Sequence, residues 1–277
     1  MNSELSIAFI GGGNMAAALT AGLAGTVCPA SRIHVIDINE SSRRNFEALG
    51  MSTAAAPDET LARCAVWVYA VKPQSMKEVV ASTQPWLRDS LIVSIAAGIR
   101  GGDLARWLGK DGKPWSRVIR CMPNTPSLIG AGATGLAALP GVSDADRALA
   151  GTILGAVGTT TWVDDESLLD AVTALSGSGP AYVFLFIESL IAGGLAVGLN
   201  QEQARDLALA TLSGATRLAA ESSEPPSVLR ERVTSKGGTT KAALDVFEAA
   251  GFRDLVAQAM HAAAKRAHDM GEEFGRD

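Results

Sequence analysis

Hydrophobic and polar positions follow two different rhythms along the chain. In the first part, short apolar runs recur between turn residues. They are LSIAFI (Leu5 to Ile10), RIHVID (Arg32 to Asp37), AVWVYAV (Ala65 to Val71), SLIVSIAAG (Ser90 to Gly98) and RVIRCMP (Arg117 to Pro123). Helical segments such as NMAAALTAGLAG and ESSRRNFEALG separate them. Strands spaced by helices predict parallel βαβ units covered on both faces. GATGLAAL and GTTTWV add strands up to about Val163. Beyond that point the pattern is helical throughout. Asn200 is placed to cap one helix, and Pro225 and Pro226 open another. The expected architecture is α/β, with a doubly wound parallel sheet over residues 1–163 and an all-α domain over residues 164–277.

One apolar run complicates this picture. AYVFLFIESLIAGGLAVGL (Ala181 to Leu199) is nearly long enough to cross a bilayer. Glu188 sits in its middle, three glycines weaken it as an isolated helix, and no basic flank supports insertion. The expectation is a helix buried in the core or in a subunit interface. The chain has 277 residues, 47% of them apolar, which excludes wholesale disorder. Its net charge of −5 counts against a general nucleic-acid binder. Cys28, Cys64 and Cys121 are far apart and form no CxxC pair. They read as buried thiols of a reducing cytoplasm. His34, His261 and His268 do not make a zinc set. The start of the chain lacks a basic segment and cleavage site of the secretory kind.

FIGGGNMA follows the first strand and opens a helix. Gly11-x-Gly13-x-x-Ala16 fits the dinucleotide fingerprint of Rossmann-type domains. Gly11 permits the turn, Gly13 lets the backbone approach a pyrophosphate, and Ala16 allows close packing of helix on strand. Gly12, Asn14 and Met15 complete the loop. Asp37, at the end of the second strand, is placed to hold the ribose 2′-hydroxyl of NADH. Its other reading is a cap on the following turn. Asn39, Arg43 and Arg44 stand nearby, and an arginine there suits the 2′-phosphate of NADPH.

Five stretches in order, FIGGGNMA (9–16), AVKPQ (70–74), RCMPNTP (120–126), SGSGPAY (176–182) and VTSKGGTT (233–240), resemble the pyrroline-5-carboxylate reductase family along essentially the whole chain. The first is shared by many dehydrogenases; the last two, after such a domain, are specific. The resemblance implies an N-terminal Rossmann domain, a helical dimerisation domain and a homodimer, with five dimers forming a decamer. It implies hydride transfer from NADPH, or alternatively NADH, to 1-pyrroline-5-carboxylate, giving L-proline in the cytoplasm. Ala70, Val71, Lys72 and Pro73 would line the cofactor at the end of a parallel strand. Ala97 and Gly98 have too little side chain to keep a nicotinamide ring away. Asn124, between two prolines, would hold its amide near that ring.

VTSKGGTT brings small polar groups to one helix entry. The loop reads either as an ordinary cap or as a nest of N–H groups for the substrate carboxylate. Ser235, Gly237, Gly238 and Thr239 are the expected ligands, with Arg230, Arg232, Lys236 and Lys241 adding an attractive field. Many family members carry proline where Lys236 stands. Ser176 and Ser178 either cap the long helix or face substrate, and Pro180 suits the first turn of that helix. Thr240 matches the residue that hydrogen-bonds the ring nitrogen. A threonine hydroxyl is a poor acid, so its expected role is to orient and polarise the imine. A β-hydroxyacid dehydrogenase is disfavoured, because its catalytic lysine has no counterpart between Ala181 and Ile187. The remaining alternatives are a reductase of another cyclic imine and a non-catalytic NADPH sensor.

Overall fold

The computed structural model describes residues 2–275. Eight strands form one sheet: β1 (Ile7–Ile10), β2 (Ile33–Ile36), β3 (Ser52–Ala54), β4 (Val66–Tyr69), β5 (Leu91–Ser94), β6 (Val118–Met122), β7 (Gly132–Ala138) and β8 (Gly158–Trp162). Their order is β3-β2-β1-β4-β5-β6-β7-β8. The first six follow the 3-2-1-4-5-6 order of dinucleotide-binding folds, with the switch point between β1 and β4. The helices α1 (Asn14–Leu23), α2 (Glu40–Ala48), α3 (Met76–Thr83), α4 (Gly101–Leu108) and α5 (Asp144–Gly155) connect the strands. α6 (Leu168–Val172), α7 (Gly179–Ala196), α8 (Gln201–Glu221), α9 (Pro226–Arg232), α10 (Thr239–Ala249) and α11 (Phe252–Phe274) complete the chain.

Strand pleat divides the core between the two faces. On β1, Ile7 and Phe9 join one cluster with Val35, Val66 and Leu19. Ala8 and Ile10 join the other with Trp67, Tyr69 and Ile92. All eight residues of β1 and β4 are buried, which accounts for their unbroken apolar runs.

The sheet departs from the expected pattern at two places. The three-residue edge strand β3 has no apolar run, so periodicity does not announce it. β7 is antiparallel to β6, pairing Ile119 with Ala138 and Met122 with Gly135. The link between them carries only a 3₁₀ turn, Thr125–Ile129. A parallel return needs a crossover of about a dozen residues or more, so this short link reverses the chain.

The chain divides into two compact units, one running through Ser178 and resuming at Ala262, the other spanning Gly179–His261. The expected boundary at Val163 falls inside the first unit. The last turns of α11 belong there because Gly98 is packed against Met270 and Phe274, and Arg100 pairs with Glu272. The second unit, taken alone, is helical with few buried side chains. Pro226 opens α9, and Asn200 with Gln203 forms a reciprocal cap at the start of α8. α7 is not enclosed by the chain's own fold: Phe184 is 58% and Leu185 65% exposed.

Candidate active site

The glycine loop is built by three distinct constraints. Gly11 has φ +101°, and a Cβ there would lie 2.7 Å from the Ala70 carbonyl oxygen. A Cβ on Gly12 would press on Ser42 and Phe46 of α2. A Cβ on Gly13 would meet nothing within 4 Å. Gly13 is also the N-cap of α1, with no side-chain cap, so the N–H groups of Asn14, Met15 and Ala16 face outward unpaired within the helix. Open space over uncapped N–H groups at a helix dipole is the fit a pyrophosphate requires.

Asp37 serves the loop itself. Its Oδ2 accepts from the Gly12 N–H at 2.6 Å and its Oδ1 from the Asn39 N–H at 2.7 Å. Asn39 caps α2, accepting from the N–H groups of Ser41 and Ser42. Arg43 donates to the carbonyls of Asp37 and Ile38 at 2.8 and 3.1 Å. Arg44 pairs with Glu40. The turn-capping reading of Asp37 is therefore realised, and both arginines already have protein partners.

At the C-terminal ends of β1, β4, β5 and β6 lies a hollow of about 290 Å³. Met15, Ala70, Val71, Ile95, Met122 and Gly177 line it with residues 123–125. Lys72 is exposed, and Pro73 opens a 3₁₀ turn leading to α3. Ala97 is half-buried. Gly98 is buried with φ +74°, and a Cβ there would lie 2.9 Å from Met270. Its small size makes room for Met270 and Phe274 of α11. Asn124 borders the hollow, but its amide bridges protein groups: Nδ2 donates to the Ser176 carbonyl at 2.9 Å and Oδ1 accepts from the Ala133 N–H at 2.8 Å.

Pro180 stands in the first turn of α7, and the helical path leading to it begins at Leu168 and passes through a π turn, Thr173–Gly177. The Ser176 hydroxyl donates to the Val172 carbonyl at 3.0 Å, one turn back along the same helical path. Ile95, Met122 and Gly177 are wall residues that sequence reasoning missed. Only Gly177 within SGSGP, which has no side chain to block a close approach, offered a signal, because strand-end side chains converge only once the sheet is built.

In the helical unit, Ser235 to Gly238 forms a tight turn with Gly237 at φ +72°. The Gly238 N–H donates to the Ser235 carbonyl at 3.1 Å. That occupies one donor expected to receive the carboxylate. Gly238 is the N-cap of α10 and no side chain caps it. The N–H groups of Thr239, Thr240 and Lys241 thus remain without intrahelical partners. A Cβ on Gly238 would press on the Ser235 hydroxyl, which would have to turn away. Thr240 lies half-buried in the first turn. The positive field is weaker than expected, since Lys241 pairs with Asp245 and Arg232 with Glu224.

Residues 166–270 match the family model described as pyrroline-5-carboxylate reductase dimerisation. Residues 6–98 match that of NADP oxidoreductase, coenzyme F420-dependent. The chain is 45% identical to the pyrroline-5-carboxylate reductase of Pseudomonas aeruginosa over 98% of both chains. Among solved structures, the Coxiella burnetii reductase superimposes with a TM-score of 0.90 at 38% identity, covering 97% of this chain and 99% of that one. The Plasmodium falciparum reductase with NADP bound gives 0.85 at 30% identity, covering 98% and 100%. Full-length identity at this level, on a sheet of this order ending in a dimerisation region, makes the chain a member of the pyrroline-5-carboxylate reductase family.

Proposed function

We infer that this chain is an NADPH-dependent oxidoreductase that reduces the C=N bond of 1-pyrroline-5-carboxylate to give L-proline, closing proline biosynthesis. The observation carrying the residue-level reading is the uncapped N-terminus of α10, opened by the Ser235–Gly238 turn and bearing Thr240 in its first turn. The N–H groups of Thr239, Thr240 and Lys241, with the Gly237 N–H and the Ser235 hydroxyl, receive the substrate carboxylate. Each charge-assisted bond is worth roughly 1.5–3 kcal/mol, so a few of them fix the ring's orientation. The Ser178 hydroxyl is a further substrate contact.

The reduced nicotinamide supplies the hydride. The Thr240 hydroxyl hydrogen-bonds the ring nitrogen and keeps the C=N carbon electrophilic. The three thiols play no part: all are buried, and burial raises each thiol's pKa, that of Cys64 to about 11. The chain's own task is proximity and orientation. Gly11 to Met15 hold the pyrophosphate, while Ala70 and Val71 wall the nicotinamide hollow.

The enzyme works as a homo-oligomer. The same reading makes its unit a homodimer, five of which assemble into a decamer in the cytoplasm, with neither nucleic acid nor membrane as partner. NADPH is the working cofactor and NADH the weaker alternative. Oxidation of NADPH and NADH by the purified protein, with pyrroline-5-carboxylate as substrate and proline identified as product, tests the reading. Substrate-dependent oxidation forming proline is the expected result. A folded, NADPH-binding protein with no turnover would redirect the reading to another cyclic imine.

A further inference from the structure

The helical path from Leu168 to Ala196 changes pitch only at Thr173–Gly177, where the Ser178 N–H reaches back five residues to the Thr173 carbonyl at 2.8 Å. Two residues later stands Pro180, which has no N–H. The carbonyl it would have served in regular helix is that of Ser176, four residues earlier. The Asn124 amide takes the missing donor's place at 2.9 Å. Its other end accepts from Ala133 N–H on β7, beyond Gly135, where the pairing with β6 stops. Exchanging the amide's oxygen and nitrogen would set oxygen against carbonyl and NH₂ against N–H, so its orientation is fixed by its partners. Asn124 is 8% exposed, and Gly177, the last residue of the π turn, lines the same hollow.

We propose that Asn124 is a positioning residue: it clamps the π turn to the end of the sheet and so holds Gly177 on the wall of the nicotinamide hollow. This rests on reading that hollow as the nicotinamide site. The clamp explains why an asparagine sits between the end of β6 and the 3₁₀ turn that begins at Thr125. Only a side chain offering donor and acceptor side by side completes both backbone groups.

Asn124→Asp tests it. The carboxylate still accepts from Ala133 but opposes the Ser176 carbonyl; once protonated, its O–H donates there and restores the clamp. Burial beside a carbonyl raises that carboxyl's pKa. Activity of the variant relative to the parent is therefore expected to be down by about 100-fold at pH 8 and to recover at least about ten-fold by pH 6. NADPH affinity, measured by titration calorimetry, is expected to stay within about three-fold of the parent at both pH values, because both ends of the amide are bonded to backbone groups of the chain. A flat ratio across pH overturns the clamp. So does an NADPH Kd raised ten-fold with kcat unchanged at saturating NADPH, which would make Asn124 a cofactor ligand. Should Asn124→Asp not fold, the double variant Asn124→Ala with Pro180→Ala decides, since an alanine in place of the proline can supply the N–H. Regained folding and NADPH binding relative to Asn124→Ala support the clamp, and no gain overturns it. Ala70→Leu, which fills the hollow, checks the hollow independently: unchanged NADPH affinity there would unseat the nicotinamide reading while leaving the pH test of Asn124 intact.

Discussion

Three adjacent glycines make three different demands. Gly11→Ala forces a positive φ and a 2.7 Å approach to the Ala70 carbonyl. It should lower unfolding free energy by about 2–3 kcal/mol, measured by urea denaturation. Gly13→Ala meets no neighbouring atom. It should cost about 1 kcal/mol or less, as an N-cap change, yet weaken NADPH at least about ten-fold, because the methyl occupies the space over the α1 N-terminus. Equal losses of stability in the two variants would refute the distinction. Thr240→Ala should cut kcat by about 100-fold or more while leaving the NADPH Kd unchanged. Wild-type turnover would remove this hydroxyl from the chemistry. These residues were legible because glycine and threonine motifs state their needs locally. The bond of Asp37 to the Gly12 N–H and the bridge made by Asn124 were not, because their partners are far away in sequence.

Elements are set by their ends. α5 begins with a reciprocal cap in which Ser143 accepts from the Asp146 N–H and Asp146 from the Ser143 N–H. Arg117, on the segment leading into β6, also binds the Asp146 carboxylate at 2.6 Å. That bond chiefly, then those of Ser143, hold the carboxyl below its usual pKa, against the opposing effect of burial. A depressed carboxyl contributes stability above its unfolded pKa and loses it as pH falls through the folded value. Asp146→Ala should therefore cost about 1–2 kcal/mol near neutrality, and the difference from the parent should shrink as pH drops below about 4. A difference constant from pH 7 to pH 3 would exclude the cap and ion pair as its source. The strand–helix alternation of this half was readable from period alone. The reversal at β7 and the π turn were not, since one depends on link length and the other on a proline placed inside a helix.

At the scale of the whole molecule, the helical unit leaves its longest apolar helix exposed. α7 displays Phe184 and Leu185, and Val246, Leu255 and Val256 are also more than one-third exposed elsewhere in the unit. Exposed large apolar side chains in this number suit an oligomer interface, and the matched family region is one of dimerisation. Phe184→Glu with Leu185→Glu should leave a species of monomer mass at micromolar concentration, by sedimentation velocity, and abolish turnover. An undiminished oligomer would place the interface elsewhere. The apolar run from Ala181 was expected to be buried in the core or in an interface, and the fold of one chain excludes the first.

Sequence by itself determined the α/β-then-α order, the glycine loop after β1, the cap at Asn200 and the family. Each depends on periodicity or on residues adjacent in the chain. Tertiary structure decided which donors remain free. Only packed coordinates show that Asp37 braces Gly12, that Gly98 makes room for Met270, that Gly238 gives its N–H to Ser235 and that Asn124 bridges Ala133 and Ser176. The physical reason is that a hydrogen bond needs an approach within about 3.2 Å. Residue type establishes the capacity to make one, and the fold alone brings the partners within reach.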